Sequence, residues 1–253
     1  MPKPLLPSSS FMTPRAPAWL LARPIAHRGL HDAQRPENSL AACDAAVAAD
    51  YPIELDVHLG NTGELVVFHD DELGRMTGAS GSLADTPWSR LSSLRLAGTD
   101  EPIPRLEQVL ARVRGRVPLI LDLKSGRAPG KLEDAVTAAL ANYRGEIALQ
   151  SFNPFAIARL RRASRSRVLG LLSCEFDAAD LSRLEKFALR RLLLAPLAMP
   201  NYVGYELRCL PYWAASAARR FGVALVAWTV RSEAELARAA ALADNCIFEV
   251  VRP

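Results

Sequence analysis

Short, almost uninterrupted apolar runs recur along this chain, and most neighbouring pairs are separated by Ala-, Leu- and Arg-rich sequence with helical spacing. The strand-like runs fall at 24–26, 52–57, 117–123, 147–152, 168–173, 191–195, 223–230 and 246–250. The helical stretches fall near 39–49, 105–114, 131–143, 154–164, 178–189, 212–221 and 232–242. Asn38, Asn153, Asp177 and Ser232 precede such stretches and are predicted to cap them. A strand that is apolar on both faces belongs in a parallel sheet covered by helices. Eight of them in 253 residues predict closure into a single (β/α)8 barrel.

One strand-like segment breaks the alternation. Glu64-Leu-Val-Val-Phe68 follows Val57 across only Leu-Gly-Asn-Thr-Gly and its neighbours, whereas a parallel neighbour needs a crossover of roughly a dozen residues. Residues 58–103 therefore read as an insertion after the second strand, opening with a hairpin and lying over the mouth where βα loops build active sites. The Pro- and Ser-rich residues 1–21 read as an N-terminal arm, and 22–253 as the barrel. No helical stretch follows the last strand, so the eighth outer helix is expected to be missing, its gap covered by the arm.

Composition excludes several function classes. The net charge of +4 comes from scattered arginines, and the densest basic run, 159–167, lacks interleaved aromatics. It reads as a solvated helix face rather than a nucleic-acid patch. Cys43, Cys174, Cys209 and Cys246 lie far apart with no CxxC pair, which fits reduced thiols. Prolines interrupt the N-terminus where a signal peptide needs an apolar core. No run is long enough for a transmembrane helix, so no stable membrane insertion is expected. A cytoplasmic location follows from these readings; oligomeric state is not encoded in any of them.

The chemistry-bearing residues sit at strand ends. Glu54 and Asp56 are two apart on a strand and share a face, and Asp122 and Lys124 repeat the spacing. At the carboxyl ends of barrel strands these side chains converge, and three unpartnered carboxylates would repel one another. A hard divalent cation resolves the repulsion, and all-oxygen ligation favours Ca2+ or Mg2+. The alternative is an ion-pair network of the acids with Lys124 and Arg28. His27 and His69 end strands and can each move a proton near neutral pH, which suits a phosphodiester: one base for the nucleophile, one acid for the departing alcohol. His31 reads as solvated, and His58 as part of the inserted hairpin. Arg28 and Lys124 suit phosphoryl oxygens. Glu37 or Asn38 is expected to steady the site. Phe152 and Trp228 either wall an apolar side of the pocket or pack in the core.

These residues lie in motifs that occur in a known order: His27-Arg28-Gly29, Pro36-Glu37-Asn38-Ser39, Glu54-Leu-Asp56-Val57, Val66-Val67-Phe68-His69-Asp70, Leu73-Gly-Arg75-Met-Thr77-Gly78, Asp122-Leu-Lys124, Gln150-Ser151-Phe152 and Trp228-Thr229-Val230. The chain resembles the glycerophosphodiester phosphodiesterase family from about residue 22 to 253. The resemblance implies a TIM barrel with a small insertion and metal-dependent hydrolysis of glycerophosphodiesters to glycerol 3-phosphate and an alcohol. It implies His27 and His69 as the acid/base pair, Glu54 and Asp56 as metal ligands, and Arg28 as a phosphate contact. Asp122 stands where the family usually has Glu, one methylene longer. Gly60-Asn61-Thr62-Gly63 replaces the usual Thr-x-Asp-Gly turn. Arg231 replaces the asparagine that commonly follows Trp-Thr-Val, and Phe248-Glu249 replaces a Thr-Asp pair. Two alternatives remain open at this point: a lysophospholipase D-type phosphodiesterase, and a non-catalytic glycerophosphodiester-binding barrel. No residue identifies the preferred head group.

Overall fold

The computed structural model describes residues 14–177 and 179–253. It opens with α1 (Ala18–Ala22), β1 (Ile25–Ala26), α2 (Leu40–Ala48), β2 (Ile53–Leu59) and β3 (Leu65–Val67). Two short helices follow, α3 (Gly74–Thr77) and α4 (Trp88–Leu91), and then α5 (Leu106–Val113). Strands and helices next alternate as β4 (Leu119–Leu123), α6 (Lys131–Ala139), β5 (Ile147–Ser151), α7 (Pro154–Ala163) and β6 (Val168–Ser173). The remainder comprises α8 (Arg183–Arg190), α9 (Ala195–Ala198), β7 (Tyr202–Glu206), α10 (Trp213–Arg220), β8 (Ala224–Val230), α11 (Glu233–Leu242) and β9 (Asn245–Phe248).

Eight of the strands close in parallel in the order β1, β2, β4, β5, β6, β7, β8, β9, with β1 paired to both β2 and β9. This is the expected TIM barrel. β1 is so short that it meets β2 only at Ala26↔Ile53. Farther along, that same edge of β2 is taken by the antiparallel strand β3, through Val57↔Val67, His58↔Val66 and Leu59↔Leu65. The hairpin thus supplies partners to backbone groups that β1 cannot reach, the requirement any buried strand must meet. It extends β2 two residues past the predicted end. Between β3 and α5, a separate apolar cluster (Val66, Phe68, Leu73, Met76, Leu83, Leu91, Leu96 and Ile103) holds the inserted segment together.

Outward-facing strand residues such as Leu55, Leu121, Leu149 and Val203 join the helices in the main core. The inward-facing set closes the amino-terminal end of the barrel: Leu20 from α1 packs with Ile25, Ile120, Ala148, Tyr202, Val226 and Ile247. Tyr202 reaches across the interior because β6 offers Gly170 beside it. A Cβ at Gly170 would lie 2.2 Å from the Tyr202 ring. The phenol donates to Gln150 Oε1 at 2.9 Å.

Several expectations need correction. The run 191–195 is not a strand; it is turn and the start of α9, and the sixth barrel strand is Tyr202–Glu206. A barrel strand is buried on both faces, yet Leu193 is 52% exposed while Leu192 is buried. Helix 178–189 begins only at Arg183, where Ser182 rather than Asp177 caps it by accepting from the Glu185 amide. Ser39, not Asn38, caps α2, accepting from the Ala42 amide. Asn153 and Ser232 cap α7 and α11 as expected. Residues 1–13 of the predicted arm lie outside the described residues. Among the described residues no helix follows β9.

Candidate active site

β2 and β4 run side by side with Asp56 opposite Asp122 and Glu54 opposite Ile120. The period of two aims Glu54, Asp56 and Asp122 into the barrel, where all three are buried. One carboxylate oxygen from each lies within 4.8 Å of the others. Lys124, one step beyond β4, reaches back between them: Nζ is 2.6 Å from Asp122 Oδ2 and 2.7 Å from Asp56 Oδ1. Arg28 stands on the other side, its Nε 3.3 Å from Asp56 Oδ2 and its amide donating to Glu54 Oε2 at 3.1 Å. Burial pushes the Asp56 pKa up, but Lys124 and Arg28 outweigh it and hold the group well below the usual carboxylate range. Glu54 moves the opposite way: burial, then repulsion from Asp56 and Asp122, raise its pKa well above normal. Asp122 is raised as well, chiefly by burial.

The turn after β1 is built for close approach. Arg28 and Gly29 both have positive φ, and a Cβ on Gly29 would sit 2.8 Å from Ala42 Cβ at the start of α2. Asn38, also at positive φ, donates from Nδ2 to Asp56 Oδ2 at 2.8 Å and accepts from the Asp56 amide at 3.2 Å. It is thus a support for Asp56 instead of a helix cap. Glu37 Oε1 accepts from Arg28 at 2.7 Å and also from Arg75 Nη2 at 2.7 Å.

His27 continues the β1–β9 ladder, its amide donating to the Phe248 carbonyl at 2.9 Å. Its Nδ1 lies 2.7 Å from Glu249 Oε2, and its Nε2 is 4.0 Å from Glu54 Oε2. Burial lowers the His27 pKa, against the raising effect of the Glu249 bond. Glu249 would be raised by burial, but its hydrogen bond to His27, with the His31 ring and the Arg231 charge close by, drives its pKa far down. The Arg231 Nε also donates to it. His69 follows β3, whose hairpin brings it to Asp56 through the Phe68 amide and the Asp56 carbonyl (3.1 Å). His69 Nδ1 is 2.6 Å from Asp70 Oδ1, and Asp70 Oδ2 accepts from Arg75 Nε at 2.6 Å. Each histidine therefore has its Nδ1 on a carboxylate that an arginine clamps. His27, Arg28, Glu54, Asp56, His69, Asp122, Lys124, Phe152 and Trp228 all line one cavity of about 300 Å³, together with Arg231.

A sequence profile of the Glycerophosphoryl diester phosphodiesterase family matches residues 27–249. The chain belongs to that family. It is 30% identical over 227 residues to YhdW of Bacillus subtilis (strain 168), provisionally named a glycerophosphodiester phosphodiesterase, covering 86% of this chain and 90% of that one. It is 33% identical over 164 residues to the glycerophosphodiester phosphodiesterase of Caldanaerobacter subterraneus subsp. tengcongensis, across 58% of this chain and 65% of the relative. Among solved structures, an Oleispira antarctica phosphodiesterase in complex with the product sn-glycerol-3-phosphate superposes with a TM-score of 0.74 at 23% identity, covering 90% and 92% of the two chains. A Thermotoga maritima glycerophosphodiester phosphodiesterase gives 0.69 at 23% identity, covering 89% and 94%. Membership places this chain among the phosphoric diester hydrolases acting on glycerophosphodiesters.

In this phosphodiesterase the sequence-picked residues come together, and three more join them. Glu249, Asp70 and Arg75 carry the histidine supports. Asp70 directly follows His69 and Arg75 lies in the Leu-x-Arg motif, so the sequence signal for both is their place beside recognised motif residues. Glu249 stands apart from His27 by 222 positions and only strand closure joins them. His31 is not solvated, as the sequence suggested: its Nε2 is buried and 3.7 Å from Glu249. His58 belongs to β2, and its Nε2 is 3.2 Å from the His69 carbonyl, so it steadies the catalytic candidate from behind. Phe152 and Trp228 meet edge to face at 5.6 Å and both line the cavity, while Trp228 also packs against the cluster that closes the barrel floor.

The acidic trio fits a divalent cation. The ion pairs of the alternative reading are present, but Lys124 and Arg28 leave Asp122 Oδ1 buried without any partner. An unmet buried carboxylate oxygen is costly unless something positive reaches it. The donor set is oxygen only, which suits a hard ion over zinc. Asp122, despite its shorter side chain, converges with Glu54 and Asp56.

Proposed function

We propose that this phosphodiesterase hydrolyses glycerophosphodiesters to glycerol 3-phosphate and an alcohol, with a divalent cation held by Glu54, Asp56 and Asp122 and with His27 and His69 as the acid/base pair. The observation that carries the reading is the pairing of two carboxylate-oriented imidazoles with the buried acidic trio around one cavity. The complex of the Oleispira antarctica relative with sn-glycerol-3-phosphate supports the product.

When bound, the cation supplies Lewis-acid stabilisation of phosphoryl charge. Arg28 and Lys124 add fixed positive charge beside the same oxygens. One histidine takes the proton of the attacking hydroxyl, either water directly or the glycerol 2-hydroxyl, in which case a cyclic phosphate forms first and water then opens it to glycerol 3-phosphate. The other donates its proton to the alkoxide as the phosphorus–oxygen bond to the alcohol breaks. Phe152 and Trp228 form the apolar wall that limits water. A cytoplasmic setting is part of this reading, supported by four cysteines that are all free thiols. No helix among the described residues is long and apolar enough to cross a membrane.

The test is hydrolysis of glycerophosphoethanolamine by chelated protein, before and after resupply of Mg2+ or Ca2+. Turnover is expected only after resupply, and His69→Ala is expected to lower kcat by at least about 10²-fold with the metal present. Undiminished turnover in the chelator eliminates the cation, and undiminished turnover in the variant eliminates His69.

A further inference from the structure

Beyond holding Glu249 behind His27, Arg231 has no assigned contact with the substrate, yet it lines the cavity. It follows β8 directly, and two neighbours fix it. Its amide donates to Glu235 Oε2, in the first turn of α11, at 2.6 Å, and its Nε donates to Glu249 beyond β9. The guanidinium is therefore held at its inner edge while its terminal nitrogens, Nη1 and Nη2, have no hydrogen-bond partner among the described residues. The side chain remains 56% exposed. A guanidinium anchored at one edge and free at the other is a preorganised fork for a planar anion.

The rest of the cavity wall points the same way. Its only acids among the described residues are Glu54, Asp56 and Asp122, all in the buried cluster. Of the carboxylates behind the wall, Glu249 is engaged by His27 and Arg231, Asp70 by His69 and Arg75, and Glu37 by Arg28 and Arg75. The outer wall therefore offers a cationic head group no free carboxylate. It offers a guanidinium, and also the Trp228 indole N–H, which is buried without a partner. Phe152 and Trp228 can receive a quaternary ammonium on their faces, but Arg231 in the same cavity opposes a second cation.

We propose that Arg231 selects the alcohol portion of the substrate, favouring head groups that carry an anionic oxygen, a carboxylate or a phosphate, over cationic ones. This rests on the glycerophosphodiester hydrolysis proposed above. The matched probes are glycerophosphoserine and glycerophosphoethanolamine, whose head groups differ by one carboxylate. With metal supplied, kcat/KM is expected to favour the serine ester about tenfold or more, the range of one charge-assisted hydrogen bond. In Arg231→Gln the ratio is expected to fall to about one, and Arg231→Lys to keep part of it. Loss of the grip on Glu249 lowers both rates together, so the ratio isolates the head group. A native ratio near one, a preference for ethanolamine, or a ratio unchanged in Arg231→Gln overturns Arg231 selection and leaves the hydrolase standing. Failure of the native protein to cleave either ester overturns both.

Discussion

Each imidazole in this site is aimed by a charged support: Glu249 for His27 and Asp70 for His69, with Arg231 and Arg75 behind them. Such supports set which ring nitrogen carries the proton and how basic the other is. The Glu249 bond raises the His27 pKa against burial, which lowers it. Glu249→Gln removes that charge, so the His27 pKa is expected to fall further. The limb of the pH–rate profile governed by His27 then moves to lower pH: the acid limb if His27 is the base, the alkaline limb if it is the acid. kcat is expected to drop about 10- to 100-fold, with KM nearly unchanged. A profile in which neither limb moves contradicts a titrating role for His27. Glu249 was not recognisable in the sequence as a support, because a residue after the last strand meets one after the first only when the barrel closes. The two roles read for Asn38, helix cap and support of the site, part for a related reason. Its letter fits a helix cap equally well, and only its positive φ and the bond to Asp56 separate the two roles.

At the scale of elements, most of the barrel could be read because parallel strands buried on both faces are continuous apolar runs. β7 escaped this rule. Its interior positions are Tyr202 and Gly204, a large ring and no side chain, which read poorly as a strand, while the more apolar 191–195 matches the strand pattern better. The pairing of Tyr202 with Gly170 shows that the interior is filled by one oversized residue fitted to a neighbour's gap. α1 shows the complementary device, closing the barrel floor with a single fully buried leucine from outside the sheet. Leu20→Ala leaves a cavity against Ile25, Ile120, Ala148, Tyr202, Val226 and Ile247. It is expected to cost about 2–5 kcal/mol in urea unfolding. A loss below about 1 kcal/mol would mean that α1 merely rests on the barrel and does not plug it.

Across the whole molecule, the barrel imposes an electrostatic conflict that a cation relieves. Closure buries Glu54, Asp56 and Asp122 together, with Lys124 and Arg28 as the nearest positive charges. Without a cation, Glu54 has a folded-state pKa well above its unfolded value, and Asp122 is raised too. Between the unfolded and folded values the native state binds more protons than the unfolded chain, so these two groups cost stability as pH rises through that window. His27 and His58 work in the other direction. Their folded pKa values are depressed, so the unfolded chain binds more protons and stability is gained as pH rises toward 6.5. A cation competes with protons for Glu54, whose proton affinity burial and the neighbouring acids raise, so its uptake is expected to release protons and to strengthen with pH. Because a ligand that binds only the native state stabilises it by mass action, the rise in Tm on adding Mg2+ or Ca2+ to chelated protein should grow between pH 5 and 8. Titration calorimetry in buffers of different ionisation enthalpy should show the protons leaving. A metal-induced Tm gain that is flat with pH, with no buffer dependence of the heat, would mean that the trio is already fully ionised and held by Lys124 and Arg28 alone. The barrel mouth would then be a finished ion-pair network with no place for a metal.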